Sequence, residues 1–330
     1  MKSNFDFLNR YWPALAQIGA TAETYVYSDP NACIYKLGMF AERLVQEILV
    51  FEHIAEPAVD NTHANRIRIL KRAGLLPHEI DNTLYVLRKT RNSAVHIGTD
   101  SVDEAKTLLS LTYNLAVWFM ETYGDWGYIA PEFIMPVETA HENLESVIAE
   151  QEKKIAELTK QLAVVTTAAS DKTQKERAKR SESVSAMMNW NETQTRCLID
   201  EQLRLSGWEA DTQNLRYSKG TRPVKGRNIA ISEWPTNSAF YKNGYADYAF
   251  FVGEKLVALM DAKKMSEDVA STIDVQVKDY AAHIKPEDIP HTVGNWNGYQ
   301  VPFLFASNGR AYLEQLRTKS GIWFLDVREQ

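Results

Sequence analysis

Between Gly244 and Lys264 the chain reads GYADYAFFVGEKLVALMDAKK. Two apolar runs flank a short polar turn, which predicts a β-hairpin. The second run, KLVALM, is apolar at every position after its lysine, the pattern of a strand buried on both faces in the middle of a sheet. It ends in Asp261, Ala262 and Lys263. Residues i and i+2 of a strand project from one face, so the Asp261 carboxylate and the Lys263 ammonium stand side by side. Charges at the end of a buried strand cost free energy unless they are paired or bind a metal.

The turn decides whether Asp247 joins them. A two-residue turn at Gly253-Glu254 pairs Asp247 with Met260 and leaves it on the wrong face. A three-residue loop, Gly253 to Lys255, pairs it with Asp261. A shared site requires the second register, or a bulge that restores it, and that register is the expectation. A carboxylate so placed can ligate Mg²⁺, and the lysine can orient or deprotonate a water beside a phosphodiester. The bland alternative is a charged strand end, which a chain with 24% charged residues produces by chance.

A length of 330 residues allows two domains, each with its own core. Two cysteines, Cys33 and Cys197, provide no disulfide framework and fit a reducing compartment. No segment approaches 18 apolar residues, and the start, MKSNFDFLNRYWPALAQIGA, lacks a basic region followed by an apolar one. The expectation is a cytoplasmic protein without a membrane partner. A net charge of -6 excludes a generally basic coat for nucleic acid but leaves room for a local basic patch.

Taken in order, residues 1–135 read as a helical bundle. Helices are predicted over Tyr35 to Val50, Ala64 to Ala73 (stopped by Gly74), from Pro77 onward, and over Asp103 to Tyr123. Within them Arg91, Asn92 and His96 form an R-x4-H motif at a helix end. Residues 136–188 place Leu144, Ile148, Gln151, Ile155, Leu158, Leu162 and Val165 at heptad spacing. The two readings are a long linker helix or coiled coil between domains, and a solvated helix folded back on its neighbours.

Residues 189–330 open with an amphipathic helix, Glu192 to Leu205. A loop rich in Gly, Pro and cations follows, with Arg216, Lys219, Arg222, Lys225 and Arg227 and no acid among them. Such a loop is usually a solvated excursion, and beside a phosphodiester-cleaving site it is a candidate for DNA-backbone contact. After the hairpin, Thr272 to Ile284 reads as a helix that puts Gln276 and Tyr280 on one side. Strands are predicted at Pro302 to Ala306 and Ile322 to Val327 with a helix between them. The fold class is therefore α plus α/β: a helical bundle, a linker helix, and an α/β domain on a central mixed sheet.

Four ordered elements of the second domain, NETQTRCLIDEQLRLSGW, GYADYAFFVGEKLVALMDAKK, Gln276 with Tyr280 as Q-x3-Y, and VPFLFASNG, resemble the PD-(D/E)xK nuclease domain of type I restriction enzyme R subunits. The opening helical segment is similar to the start of R subunits of one type I class. The resemblance implies a restriction-endonuclease-like fold that hydrolyses DNA phosphodiesters with Mg²⁺, Mn²⁺ substituting. It implies Asp247, Asp261 and the Ala262 carbonyl as metal ligands, and Lys263 positioning or activating the attacking water. Gln276 and Tyr280 would hold substrate or site geometry, and Glu192 would be the carboxylate of the first helix, with Glu201 the alternative. Asp261 departs from the Glu usual at that place and reaches one methylene less. The implied partners are double-stranded DNA and the methyltransferase and specificity subunits. R subunits carry a helicase-like motor that uses ATP. No G-x4-G-K-[ST] occurs here, so the expectation is a fragment or truncated relative in which ATP has no site.

Two other readings follow from the same residues. One is a non-catalytic module docking partner subunits. The other comes from the likeness of Arg91, Asn92 and His96 to the HEPN signature, and is a metal-independent ribonuclease using Arg91 and His96. Against it stands a structural use of Arg91 and Asn92 at a helix junction.

Overall fold

The structure, a computed structural model, describes residues 3–56, 59–96, 101–138, 144–159, 169–188, 190–238, 244–265, 267, 269–310 and 321–329, with backbone alone at 93, 95, 96, 144–148, 158 and 159. The chain forms two compact units, Met1–Met188 and Asn189–Gln330.

The first unit is helical: α1 (Pro13–Tyr25), α2 (Pro30–Phe51), α3 (His63–Arg72), α4 (His78–His96), α5 (Val102–Phe119), α6 (Leu144–Thr159) and α7 (Gln174–Met187). Local signals set their ends. The Asp29 carboxylate and the Thr62 and Ser101 hydroxyls accept the N3 amides of α2, α3 and α5, and Gly74, at φ +69, ends α3. The predicted stripe of α2, with Leu37, Phe40, Ala41, Leu44, Ile48 and Leu49, is almost fully buried. The helix predicted over Asp103 to Tyr123 finishes in a π-helical turn, Met120–Gly124, rather than as regular α-helix.

Of the two readings for residues 136–188, the described part follows the second and folds back onto the bundle. Lys36 Nζ lies 2.6 Å from Glu152 of α6. On α7 the buried Arg177 donates through Nε and a terminal nitrogen to Glu52, at 2.7 and 2.6 Å, and Ser181 accepts from the Trp118 indole. Buried partners, not an apolar stripe, dock this hydrophilic helix. The seam residues Leu162 and Val165 lie outside the described residues, as do the side chains of Leu144, Ile148 and Leu158.

Arg91, singled out in the R-x4-H motif, pairs with Glu42, which also receives Arg66, and lies over the Tyr35 ring, 5.1 Å from its centroid. Asn92 is exposed, and the His96 side chain lies outside the described residues. No helix among the described residues is long and apolar enough to cross a membrane.

The second unit is a six-stranded mixed sheet in the order β1 (Glu209–Ala210), β2 (Asn228–Thr236), β3 (Gly244–Val252), β4 (Lys255–Ala262), β5 (Phe303–Ser307) and β6 (Ile322–Asp326). The β1/β2 and β4/β5 pairs are parallel and the others antiparallel. Helix α8 (Glu192–Leu205) covers one face, where Ile199 and Leu203 meet Ala230, Tyr248, Phe250, Ala258 and Met260. The other face is covered by α9 (Ala270–Thr272), a π-helical turn (Ile273–Val277) and α10 (Lys278–Ala282). There Ile273, Val277, Tyr280 and Ala281 pack on Phe251, Leu256, Leu259 and Leu304. The helix predicted over Thr272 to Ile284 is thus broken by a π turn and ends two residues early. The helix expected between β5 and β6 falls outside the described residues.

Strand β4, predicted as a buried central strand, sits between β3 and β5 with every position from Ala258 to Ala262 buried. The three-residue loop is not what restores the register. Lys255 pairs with Val252 within the ladder, so the turn is Gly253-Glu254 alone, with Gly253 at φ +60 as a first turn position requires. A bulge does the work instead: Phe251 pairs with Leu256 and Phe250 with Ala258, leaving Val257 unpaired. Beyond it Tyr248 pairs with Met260, and the next step of the ladder sets Asp247 opposite Asp261.

Candidate active site

Asp247 enters from β3 and Asp261 from the end of β4, and both are buried, at 8% and 3% exposure. Their carboxyl groups lie within hydrogen-bonding reach of each other. The Ala262 amide donates to Asp247 Oδ2 at 2.6 Å, tying the aspartate to the end of the neighbouring strand. Lys263 Nζ sits 2.6 Å from Asp261 Oδ2. This ion pair joins the ammonium to a buried carboxylate oxygen. The Lys263 backbone is fixed through its amide to Ser307 of β5, at 2.8 Å.

Burial pushes the Asp247 carboxyl up to about 8, the adjacent Asp261 adds to the rise, and Arg196 and the Ala262 amide oppose it. For Lys263, burial disfavours the charge, but Asp261 and Asp247 outweigh it and hold the ammonium above its ordinary pKa. At neutral pH this lysine is a cationic donor that can orient a water or steady a developing negative charge. Proton abstraction, the other role open to it from sequence, is disfavoured.

Helix α8 delivers the remaining groups. Asn191 and Gln194 form a reciprocal capping box at its start, which sets Glu192 in the first turn and Arg196 one turn on. Glu192 is half exposed and holds Arg196 at 2.7 Å. Arg196 in turn donates to Asp247 Oδ1 and lies 3.6 Å from Glu233 of β2. Sequence reasoning named neither Arg196 nor Glu233. The first was signalled by its i,i+4 spacing from Glu192. Glu233 adopts φ +53, and no residue type at that position announces it.

The alternative carboxylate, Glu201, is buried and pairs with Arg204 at 3.1 Å, away from this chain of contacts. Gln276 is half buried on the π turn that packs on β4 and β5, and Tyr280 is buried in the core beneath the sheet. Of the loop cations, Arg216 pairs with Glu233 and Arg227 with Glu209. Arg222 stacks 3.7 Å from the Tyr217 ring centroid, while Lys219 and Lys225 are exposed.

Behind the site lies a second polar cluster. Asp200 accepts from the Thr212 amide and hydroxyl, at 2.7 and 2.9 Å, and from the Tyr248 hydroxyl, at 2.9 Å. It links α8 to β3 at the residue next to Asp247.

The donor set suits a hard divalent cation. Two carboxylates and the Ala262 carbonyl are all oxygen, and the two acids are buried side by side with Arg196 on one and Lys263 on the other. Among the described residues no three His, Cys, Asp or Glu side chains are grouped so that they could hold a metal ion by themselves. An ion here would complete its shell with water and phosphate oxygens, as Mg²⁺ commonly does.

Residues 209–330 match the family model for the second domain of the type I restriction enzyme EcoKI endonuclease subunit. The chain is also 29% identical, over 402 aligned positions, to the EcoKI endonuclease subunit of Escherichia coli (strain K12). The alignment covers 99% of the chain and 34% of that relative, so the chain spans about a third of the relative's length. No solved structure matches it significantly. Across nearly its whole length the chain is thus similar to a type I restriction endonuclease subunit, and residues 209–330 match the model of that subunit's second domain.

Proposed function

We propose that residues 189–330 are a Mg²⁺-dependent nuclease that hydrolyses DNA phosphodiesters, with Mn²⁺ as a substitute cofactor, in a restriction complex with methyltransferase and specificity subunits. The observation that carries this reading is the buried Asp247–Asp261 pair with Lys263 on the second acid. Two buried carboxylates in mutual reach repel one another, and a shared cation relieves that repulsion. Asp247, Asp261 and the Ala262 carbonyl would hold the ion, which supplies polarisation of the phosphate and compensation of its developing charge.

The residues of the chain do the rest. Lys263, fixed by Ser307 and Asp261, presents an ammonium to the attacking water or the scissile phosphate. Gln276 and Tyr280 brace the floor of the site from the π turn and α10. Exposed Lys219 and Lys225 meet the DNA backbone, and Arg222, Arg216 and Arg227 shape the loop that carries them. Contacts to the backbone carry no sequence information directly, so sequence choice belongs to the specificity partner.

The test is nicking of supercoiled plasmid by the 330-residue chain with Mg²⁺ or Mn²⁺. Asp261→Asn and Lys263→Ala are each expected to slow it at least about a hundredfold, with unchanged circular dichroism. Cleavage that survives either substitution in a folded protein overturns the assignment.

A further inference from the structure

We propose that Arg196 is the resident counter-ion of this site, occupying Asp247 while no divalent cation is bound and surrendering it when one arrives. The inference rests on the nuclease reading above and adds a residue to it.

Both oxygens of Asp247 are engaged, Oδ1 by the Arg196 guanidinium and Oδ2 by the Ala262 amide. The amide is part of the strand and cannot leave without breaking β4. The guanidinium sits on a flexible stem and can. Across the pair, the buried Asp261 Oδ2 is faced by the Lys263 ammonium at 2.6 Å, so each acid of the pair carries one basic partner, and on Asp247 that partner is Arg196. A divalent ion touching both acids with Arg196 still on Oδ1 would set four positive charges, counting Lys263, around two carboxylates. Repulsion among them favours exchange over coexistence.

The surroundings make the exchange cheap. Arg196 is held by carboxylates from three elements: Glu192 on its own helix, Glu233 on β2 and Asp247 on β3. Released from Asp247, it keeps two anionic partners at the rim of the site. Its buried Nε has no acceptor, so this seat is set by charge and not by a completed fork of hydrogen bonds. A purely structural arginine at such burial ordinarily satisfies its donors.

The experiment is a calorimetric Mn²⁺ titration of the 330-residue chain, paired with melting in EDTA and in Mn²⁺. Arg196→Met is expected to bind Mn²⁺ at least about fivefold tighter than the unsubstituted chain, the lower range of coupling between linked sites. It should also melt lower in EDTA and gain more from Mn²⁺. Should that variant fail to fold, Arg196→Lys keeps a charge but cannot span three carboxylates, and its Mn²⁺ affinity should lie between the two. Unchanged or weaker binding by a folded Arg196 variant overturns the exchange and leaves the nuclease reading standing. Absence of Mn²⁺ binding in the unsubstituted chain and the variants overturns both. Asp261→Asn, expected to abolish the titration, locates the ion.

Discussion

Asp247 stands opposite Asp261 because Val257 drops out of the ladder between β3 and β4. Without that bulge, a two-residue turn would set Met260 against Asp247 and turn Asp261 away. The extra residue also keeps Ala258 and Met260 on the α8 face and Leu259 on the other. Deleting Val257 leaves Leu256 and Ala258 consecutive, with the same partners. The prediction is a tolerated deletion in a central strand, with Mn²⁺ affinity within about threefold, or under ~0.7 kcal/mol. Loss of binding by a folded deletion variant would show that the twist added by the bulge, and not the register alone, aims the acids.

The two glutamates of α8 have separate duties. Glu192 touches the site through Arg196, whereas Glu201 is buried beside Arg204. Glu192→Gln should slow plasmid nicking about tenfold, equivalent to ~1.4 kcal/mol of barrier, by removing one of the two anions that receive Arg196 when it leaves Asp247. Glu201→Gln should leave the nicking rate unchanged and lower the melting temperature. The reverse pattern would move the helix-borne carboxylate to Glu201.

Burial holds the Asp200 carboxyl at about 6, against the pull of Thr212, Arg204 and Tyr248 and an ordinary value of 3.8. Between about pH 4 and 6 the folded protein keeps a proton that the unfolded chain has released. Stability from this group is therefore complete below the unfolded value and declines as pH rises through that window. The full difference is about 3 kcal/mol. Asp200→Asn cannot titrate, so the stability gap between it and the parent chain should change between pH 4.5 and 7 in urea unfolding. A constant gap would mean that folding leaves this carboxyl at its ordinary value.

What could be read beforehand follows the reach of local rules. The period of two carried Asp261 and Lys263 to one face, and the amphipathic run Glu192 to Leu205 matches the bounds of α8. The bulge was hidden because valine is among the best strand formers, so nothing in Val257 suggests omission from a ladder. Arg196 and Asp247 are 51 positions apart, and their meeting depends on how α8 crosses the sheet. The same limit applied to α7, where Arg177, Ser181 and Ser185 look solvent-facing in sequence and are buried by partners elsewhere in the bundle.

Arg91 governs how α2 meets α4. Its guanidinium reaches Glu42 and the Tyr35 ring, and its stem lies on Gly38, where an added Cβ would come within 2.5 Å of Arg91 Cβ. Gly38→Ala must push the helices apart, at an expected cost of about 1–3 kcal/mol. Arg91→Ala removes one of the two cations on the half-buried Glu42 and should destabilise by about 2 kcal/mol. Both effects belong to packing, so neither variant should alter Mg²⁺-dependent nicking at a temperature where it is folded. A ribonuclease built on Arg91 and His96 makes the opposite demand. It would cleave labelled RNA in EDTA, persist in Asp261→Asn and vanish in His96→Ala. Since Arg91 is committed to Glu42 and Tyr35, no such cleavage is expected, and its appearance would reassign this helix junction from support to catalysis.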